Sequence, residues 1–430
     1  MRPLVSDFLH RYGMHYDTLD LKKEVEVFAG DMKRGLAGGD STLLMIPTYL
    51  ETGKAIPYGE SVLALDAGGT NFRVSVLHLN GVGEPMLEVF ENRPMPGTKG
   101  AITADTFFET IVDAIAPLVP KTQKIGFCFS YPAETTPELD ARIIRMAKEV
   151  TINGAEGLLI GEELNKALAR RGLPACKVVL LNDTAAGMLG GLAQTQARVY
   201  DDYIGFILGT GTNTCYIENT ENIPKLPARG RHGRMVVNQE SGGYGRIAQG
   251  EVDRELDSES ANPGKQKLEK MVSGAYFGAI LRRLIDKACN DGLFSAAFRD
   301  KIATVDKLLM QDVGDFCENP YSGFFSELAA GNDDDRLTLF ELIDALFDRA
   351  ARITIIQIAG ILTQTGAGQS PLKPVCVVAE GTFFTKARTF RAKFDAYVKC
   401  FLGDEMGRYI ELVSVQNATL TGSAAAVLIS

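Results

Sequence analysis

The sequence has no tryptophan and only four histidines among 430 residues. No histidine is paired with a cysteine or a carboxylate at the ligand spacing that is typical of a zinc site. We therefore expect no dedicated transition-metal centre. The four positions are His10, His15, His78 and His232.

Paired cysteines and a signal peptide are also missing. The seven cysteines are odd in number, scattered, and include no CxxC pair, which is typical of reduced, intracellular cysteine. The first residues carry charges and histidines where a signal peptide needs an apolar core. We therefore predict a cytoplasmic protein.

Long apolar runs and an excess of basic residues are absent as well. The longest apolar stretch, residues 353–362, is interrupted by Gln357 and is too short to span a bilayer, so it predicts a buried helix and no membrane association. The 45 basic residues are outnumbered by 54 acidic ones, and the net charge is −9. This balance argues against a nucleic-acid partner.

The sequence does have ample material for a core. Its 45% hydrophobic and 23% charged residues are typical of a globular protein. A chain of 430 residues exceeds the size at which one hydrophobic core stops growing. We therefore predict two domains.

The most informative pattern is a glycine turn that occurs twice. Residues 62–79 and 203–217 each consist of two apolar segments flanking a cluster of Gly, Thr and Asn, which predicts strand, turn and strand. Glycines allow a close approach of the backbone to a phosphate, and free N–H groups and Thr hydroxyls supply donors. Two such turns, about one domain apart, indicate two lobes that hold one nucleotide.

The order of predicted elements is similar around both turns. After the first turn we predict a strand at 86–90, a helix at 104–118, a strand at 124–129, a helix at 161–171, a strand at 178–181 and a helix at 183–194. Residues 19–50, which precede the first turn, have apolar residues at helical spacing, with a loop at 35–40. After the second turn we predict an insertion from 224 to about 268, helices at 269–289, 296–311 and 337–364, a strand at 375–379 and a helix to about 401. The chain thus has a duplicated topology, with ligands expected at the carboxyl ends of strands.

Several polar residues at these strand ends have two interpretations. Asp66 follows an apolar strand, where it either holds hydrated Mg²⁺ beside phosphates or caps its own turn. Asp183 is either an N-cap, the commoner use, or a base that accepts a proton from a hydroxyl. Lys148, Glu240 and Glu269 are surface charges unless other evidence intervenes.

Seven segments occur in the order, and at roughly the spacing, of the hexokinase family of eukaryotic-type hexokinases and glucokinases. They are LALDAGGTNFRV, GFCFSYP, LLNDTAAGML, FILGTGTNTCYI, NQESGGYG, NPGKQKLEKMVSGAYFGAILRRL and EGTFF. The sequence therefore resembles this family from about residue 27 to its C-terminus. The resemblance implies an α/β fold of two ribonuclease-H-like lobes, each with a βββαβαβα order and with the ligand cleft between them, as in sugar kinases, heat-shock ATPases and actin.

The resemblance also implies the division of the chain and its activity. The small lobe is expected at 61–196 plus 417–430 and the large lobe at 1–60 plus 197–416. The implied activity is an ATP-dependent hexokinase, which phosphorylates the 6-hydroxyl of glucose or a related hexose in the first step of glycolysis. Its implied ligands are the hexose, ATP and Mg²⁺.

Position within the family motifs implies a role for each candidate residue. Asp183 resembles the catalytic base, and Lys148 resembles a residue that supports developing charge or holds the sugar. The other implied sugar contacts are Ser130, Tyr131, Pro132, Asn182, Asn213, Glu240 and Glu269. The implied phosphate and adenosine contacts are Asp66 (also near Mg²⁺, through water), Gly68, Gly69, Thr70, Asn71, Arg73, Gly209, Thr210, Gly211, Gly274, Ala275, Gly381 and Thr382.

The sequence departs from the family at some of these motifs. The family's Thr-Lys-Gly-Phe is Ala147-Lys148-Glu149-Val150 here, so a sugar hydroxyl loses a hydrogen bond that is worth about 1 kcal/mol. The family's Asp-Gly-Ser is Glu380-Gly381-Thr382. Two alternatives stay open: a kinase for mannose, fructose or an amino sugar, and a sugar sensor without catalytic activity.

Overall fold

The structure is a computed structural model that describes residues 1–146, 150–227 and 233–430. Its strands are β1 (Ile46–Thr52), β2 (Val62–Ala67), β3 (Asn71–Leu79), β4 (Pro85–Pro94), β5 (Ile102–Thr103), β6 (Lys124–Phe129), β7 (Ala133–Thr135), β8 (Ala141–Ile143), β9 (Ile152–Asn153), β10 (Lys177–Leu181), β11 (Tyr203–Leu208), β12 (Thr212–Asn219), β13 (Arg234–Asn238), β14 (Val375–Glu380) and β15 (Ile410–Val413).

The helices complete the α/β pattern. They are α1 (Pro3–Arg11), α2 (Leu21–Leu36), α3 (Ala104–Ile115), α4 (Ile160–Arg170), α5 (Asp183–Gln194), α6 (Glu251–Glu259), α7 (Lys267–Val272), α8 (Gly274–Asn290), α9 (Ala296–Ile302), α10 (Met310–Glu318), α11 (Gly323–Leu328), α12 (Asp333–Thr365), α13 (Thr382–Lys386), α14 (Arg388–Tyr397) and α15 (Ala418–Ile429). A π-helical stretch, Val398–Glu405, follows α14.

Two sheets have the same internal order, as the duplicated pattern predicts. One sheet has the order β4-β3-β2-β6-β10, and the other has β13-β12-β11-β14-β15 with β1 added at its edge. In each, the first three strands of the repeat are antiparallel and the last two run parallel to the first. The parallel strands therefore bring their carboxyl ends, and the residues just after them, to one edge of each sheet.

Helices α5 and α15 lie between the two sheets. They pack against each other; α5 also contacts β11, β12 and β14, while α15 contacts β2, β6 and β10. Their contact is so close that a Cβ at Gly422 would overlap the carbonyl of Ala186. Buried side chains of both helices form a core between the sheets, and each lobe has a further core of its own.

The longest helix, α12, runs through the core of the larger lobe. Its N-terminus is capped by Asn332, whose side chain accepts from the backbone N–H groups of Asp334 and Asp335. The apolar stretch at 353–362 belongs to it and is buried, as the sequence predicts. Among the described residues, no helix combines the length and the apolar character that crossing a membrane requires.

Four sequence-based element predictions are wrong. The predicted helix that ends at about 401 is divided at Ala387 into α13 and α14, and a π-helical stretch follows. Residues 46–52 form β1 rather than helix, because this segment pairs antiparallel with β13 at the sheet edge, where a strand tolerates Pro47. The predicted helix at 296–311 is divided into α9 and α10, since the carbonyl of Val305 accepts from Arg282 instead of joining a helix. The predicted helix at 269–289 is broken at Ser273, after which the N–H of Gly274 donates to Gly209.

Candidate active site

The first glycine turn connects β2 to β3. Within it, the N–H of Gly68 donates to the carbonyl of Asn71 at 2.9 Å, and the carbonyl of Thr70 accepts from Met95 at 2.9 Å. These bonds fix the loop from both sides. A cavity of about 260 Å³ lies against it and is lined by Gly68, Gly69, Thr70, Asn71, Arg73 and Asn92.

Asp66 lies at the end of β2, beneath this turn, and is only 2% exposed. Its Oδ2 accepts from the Arg73 guanidinium and, at 2.8 Å, from the hydroxyl of Thr419. Arg73 also donates to Thr419 at 3.2 Å. The carboxylate is therefore held by an ion pair and by a hydroxyl of α15.

The second glycine turn connects β11 to β12 and supports a larger cavity. The N–H groups of Gly274 and Ala275, at the start of α8, donate to the carbonyls of Gly209 and Thr210 at 2.8 and 3.3 Å. Gly381 has a φ of 107°, and a Cβ there would overlap the Leu208 carbonyl. The cavity, of about 550 Å³, is lined by Gly209, Thr210, Gly274, Ala275, Met310, Gln311, Gly314, Asp315, Glu318, Thr382, Phe383, Lys386 and Ala387.

A continuous polar chain, formed by Asn182, Asn213, Asn238 and Glu240, crosses from one lobe to the other. The Nδ2 of Asn213 donates to the Oδ1 of Asn182 at 3.3 Å and to the Oδ1 of Asn238 at 2.8 Å. Asn238 in turn donates to Glu240 Oε1 at 2.8 Å. The Oδ1 of Asn213 accepts from the backbone N–H groups of Thr214 and Ser241. This chain orients four hydrogen-bonding side chains toward one another.

Glu240 has an unusual backbone conformation and a carboxyl group with a shifted pKa. Its backbone is left-handed, with a φ of 54°, a conformation that a glutamate rarely adopts and that often marks a functional site. Burial raises the pKa of its carboxyl, and the carboxylates of Asp183 and Glu269 raise it further. The hydrogen bond from Asn238 lowers this pKa and offsets part of the shift. Three acidic groups therefore share one poorly solvated region.

Glu269 lies in the first turn of α7. Its Oε2 accepts from the N–H of Thr212 at 3.0 Å, and the glycine at Gly211 leaves the space that this carboxylate occupies. The next residue, Lys270, is 1% exposed, and its ammonium donates to Asp257 at 2.6 Å and to two oxygens of residues 260 and 262. The buried lysine thus fastens the preceding loop to the helix that carries Glu269.

Asp183 begins α5, directly after β10. Asn182 is the N-cap, accepting from the Thr184 N–H at 2.9 Å, while Asp183 Oδ1 accepts from the same N–H at 2.8 Å. The capping role therefore belongs to Asn182. Asp183 is half-buried, and Cys128, whose pKa is raised by burial, lies close enough to Asp66 and Asp183 for both carboxylates to raise it further.

The segment after β6 contacts the first glycine turn through Ser130 and Tyr131. Ser130 donates its N–H to Ala67 at 3.1 Å, and Tyr131, 1% exposed, donates its hydroxyl to the Gly68 carbonyl at 2.8 Å. The carbonyl of Pro132 accepts from Ile144. Tyr131 lines a narrow cleft between the lobes, together with Ile46, Thr48, Phe129, Ala133, Thr135, Ala141, Leu180, Leu181, Asn182, Asn238 and Glu240.

The structure adds three residues to the sequence-based set. Asn238 lies within the segment NQESGGYG and Thr419 lies near the C-terminus, but neither residue type gave a separate signal in the sequence. Glu380 ends β14; its Oε1 is buried with no hydrogen-bond partner among the described residues. Burial raises the pKa of Glu380, and Arg73 acts against that shift. Lys148 lies outside the described residues.

Comparison with known proteins gives a consistent result. Two family models described as hexokinase match residues 7–192 and 203–429. The chloroplastic hexokinase-2 of Nicotiana tabacum is 30% identical over 437 residues, which cover 94% of this chain and 86% of the relative. Hexokinase-1 of Arabidopsis thaliana is 30% identical over the same shares of the two chains.

Solved structures show the same fold. A hexokinase from Schistosoma mansoni, complexed with glucose, superposes with a TM-score of 0.78 at 24% identity, covering 99% of this chain and 98% of its own. A second hexokinase crystal structure gives 0.80 at 20% identity, covering 100% of both chains. The predicted α/β fold of two lobes is confirmed, while the predicted lobe boundaries stay a prediction.

Proposed function

Because this chain belongs to the hexokinase family, we propose that it transfers the terminal phosphoryl group of ATP to the 6-hydroxyl of glucose or a closely related hexose. Family membership makes it a sugar kinase, a phosphotransferase with an alcohol group as acceptor. The choice of glucose, the first step of glycolysis as its place and a cytoplasmic location are parts of the proposal. The tobacco relative is named chloroplastic.

The observation that carries the proposal is the polar chain, with Glu269 and Asp183 beside it. A hexose is a ring of hydroxyls, each a donor and an acceptor, so amides and carboxylates can pair with each one. An analogue that lacks a hydroxyl leaves one of these buried groups unpaired, which gives the site its selectivity. In the free protein, burial and the repulsion between neighbouring carboxylates make the charged form of Glu240 unfavourable. Hydroxyl groups of a bound hexose would donate hydrogen bonds to these carboxylates and so reduce this electrostatic cost.

The mechanism assigns the proton to Asp183. The 6-oxygen of the hexose forms a bond to the terminal phosphorus of ATP while the bond from that phosphorus to the bridging oxygen breaks. The hydroxyl proton passes to the Asp183 carboxylate and later to solvent, and ADP leaves. Oδ1 of Asp183 is fixed by the Thr184 N–H, so the carboxylate is already oriented at the start of α5.

The two glycine turns are proposed to hold the phosphates. The first offers the residues around Gly69 and the second those around Thr210, and the large cavity beyond the second turn has space for the adenosine. Thr382, the first residue of α13, lines that cavity, and Gly381 connects it to β14.

The acidic residues near these turns fit a hydrated magnesium ion. Asp66 is the penultimate residue of β2, Asp183 follows β10, and Glu380 ends β14. The Oε1 of Glu380 has no hydrogen-bond partner in the described part of the chain, so oxygen donors of the type that Mg²⁺ prefers are present. When bound, the ion would neutralise phosphate charge. Arg73, which pairs with Asp66, would hold that carboxylate in place.

The lobes are proposed to close over the sugar, pivoting about the α5 and α15 pair. Closure would exclude water, which otherwise competes with the hexose as acceptor and hydrolyses ATP. Small-angle scattering with and without glucose checks this: we expect a smaller radius of gyration with the sugar, and an unchanged radius argues against closure.

A panel of sugars in a coupled assay of ADP release tests the proposal. We expect the highest kcat/KM with glucose, and a preference for mannose, fructose or an amino sugar would replace glucose in the proposal. Calorimetry on the same sugars checks the alternative of a sensor. Saturable binding of a hexose without any ADP release would show a sensor and overturn the proposed activity.

A further inference from the structure

A buried aspartate of α2 joins three segments of the larger lobe. Asp31 is 0% exposed, and an acidic side chain is almost never so deeply buried unless it is paired. Its Oδ1 accepts from the Arg34 guanidinium at 2.7 Å and from Nε of Arg246 at 2.8 Å. Its Oδ2 accepts from the backbone N–H of Thr42 at 3.0 Å and from the Thr42 hydroxyl at 2.7 Å. Both oxygens therefore hold two donors each.

The carboxylate of Asp31 is held in its charged form. Burial raises its pKa, but the hydrogen bonds from Thr42 and from the two guanidiniums outweigh burial and bring the pKa below its usual value. Only an ionised carboxylate accepts at both oxygens without presenting a proton of its own. An amide in this place would turn N–H donors toward groups that are themselves donors.

Thr42 extends this connection to a second segment. While its hydroxyl donates to Asp31, the same oxygen accepts from the N–H of Gly245 at 3.0 Å. A Cβ at Gly245 would lie only 3.3 Å from the Thr42 methyl group, so the two backbones pack closely here. Arg246, the next residue, binds Asp31 directly. Two successive residues of one segment are thus tied to the same carboxylate.

The segment held in this way begins at a proposed sugar contact. Glu240 precedes the 3-10 turn Ser241–Gly243, and its carbonyl accepts from the last N–H of that turn at 3.0 Å. Tyr244 follows the turn, and its carbonyl accepts from the N–H of Leu268 at 3.1 Å. Because Leu268 directly precedes Glu269, the position of a second proposed sugar contact depends on the same segment.

We propose that Asp31 is a positioning residue for the hexose site. Through Thr42 and Arg246 it fixes the segment that begins at Glu240, and that segment fixes the start of α7. A glutamate with a φ of 54° is strained and persists only where the surrounding structure fixes it. Groups that are ordered before the sugar arrives also cost less to order when it binds. This inference rests on the proposed hexokinase activity, because it acts through that activity's sugar contacts.

The Asp31→Asn variant of the full chain tests the proposal in the assay of ADP release with glucose. The glucose KM should rise by about tenfold or more, the factor that a hydrogen bond to a charged group is worth. The KM for ATP should stay unchanged, because none of the four hydrogen bonds of Asp31 reaches a glycine turn. The matched control is D253N, since Asp253 is also buried, at 2% exposed, but pairs with Arg349 of α12. D253N should lower Tm and leave the glucose KM unchanged.

Two variants of Thr42 test the same connection without a change of charge. T42V keeps the shape of threonine but removes the hydroxyl, so the Gly245 N–H loses its acceptor. We expect the glucose KM to rise by about two- to twelvefold, the factor for one neutral hydrogen bond. T42S keeps the hydroxyl and should restore the wild-type KM. If D31N does not fold, the comparison of T42V with T42S decides.

Amide hydrogen exchange supplies a readout that needs no sugar. Peptides that cover 240–246 should exchange faster in T42V than in the wild type and T42S, because their backbone is held less firmly. Unchanged exchange there, equal glucose KM values in T42V and T42S, or an equal rise in D253N and D31N would overturn the proposal. A wild type that binds glucose without ADP release would overturn the proposed activity alone, since exchange and calorimetric glucose affinity would still test the role of Asp31.

Discussion

Replacing Asn238 by alanine isolates the contribution of the polar chain to hexose binding. Asn238 is 4% exposed and makes two side-chain hydrogen bonds of 2.8 Å, accepting from Asn213 and donating to Glu240. The bond to the carboxylate is worth about 1.5–3 kcal/mol and the amide bond about 1 kcal/mol. Both partners are proposed sugar contacts, and Asn238 acts through them.

If only the stronger bond is transmitted to the sugar site, 1.5–3 kcal/mol corresponds to about a 10- to 150-fold loss of hexose affinity. We expect N238A to raise the hexose KM by that factor and to leave the KM for ATP unchanged. Steady-state ADP release, with hexose varied at saturating ATP, measures both. A Tm scan reports how much of the effect is general destabilisation.

Two companion variants separate the effect of the hydrogen bond between residues 238 and 240 from the effect of their charge. N238D keeps the acceptor for Asn213 but places a second carboxylate against Glu240, so we expect an even larger rise in KM. In the double variant N238D/E240Q the hydrogen bond returns with its direction reversed, so Tm should recover while hexose affinity does not. The reasoning is refuted if N238A keeps the hexose KM within about twofold of wild type, given the bond energies above.

Three further outcomes are expected. Asp253→Ala leaves the buried Arg349 without its partner and should cost about 3–5 kcal/mol of unfolding free energy, measured by urea titration; a loss below about 1 kcal/mol would contradict it. Burial raises the pKa of Asp202 to about 6, so its contribution to stability is full at low pH and is lost as pH rises toward 6. Asp202→Asn should flatten the pH dependence of Tm between about 4 and 6, and an unchanged slope would argue against this shift. Gly381→Ala, in a backbone of positive φ against the Leu208 carbonyl, should raise the KM for ATP more than that for hexose, and equal changes would oppose its placement on the nucleotide side.

The fold could be predicted because its signal repeats along the chain. The two glycine turns, each between short apolar strands, predict the antiparallel pair at the start of each repeat, which the structure confirms as β2 with β3 and β11 with β12. The strands β13 and β15 of the second sheet were not predicted. The β1 strand was not predictable, because its pairing partner, β13, lies about 190 residues further on and local spacing resembles a helix. The same holds for the break between α9 and α10, which depends on Arg282 reaching the Val305 carbonyl.

The sequence predicts which residues belong to the site but not the hydrogen bonds that link them. Motif order led to Asn182, Asn213 and Glu240, and the structure places them in one hydrogen-bonded chain. The linking residue, Asn238, has no property in the sequence that distinguishes it from other asparagines. The partnership of Asp66 with Thr419, separated by 353 positions, likewise exists only after folding.

The central claim is tested most directly by measuring hexose-dependent ADP release in the wild type and in D183N, with hexose binding followed in parallel by calorimetry. An asparagine at 183 still accepts from the Thr184 N–H, so the start of α5 should remain intact. We expect D183N to bind hexose while its turnover falls by about 10²–10⁴-fold, the contribution of a general base. Near-normal turnover in D183N would contradict the claim, as would a wild type that binds hexose and releases no ADP.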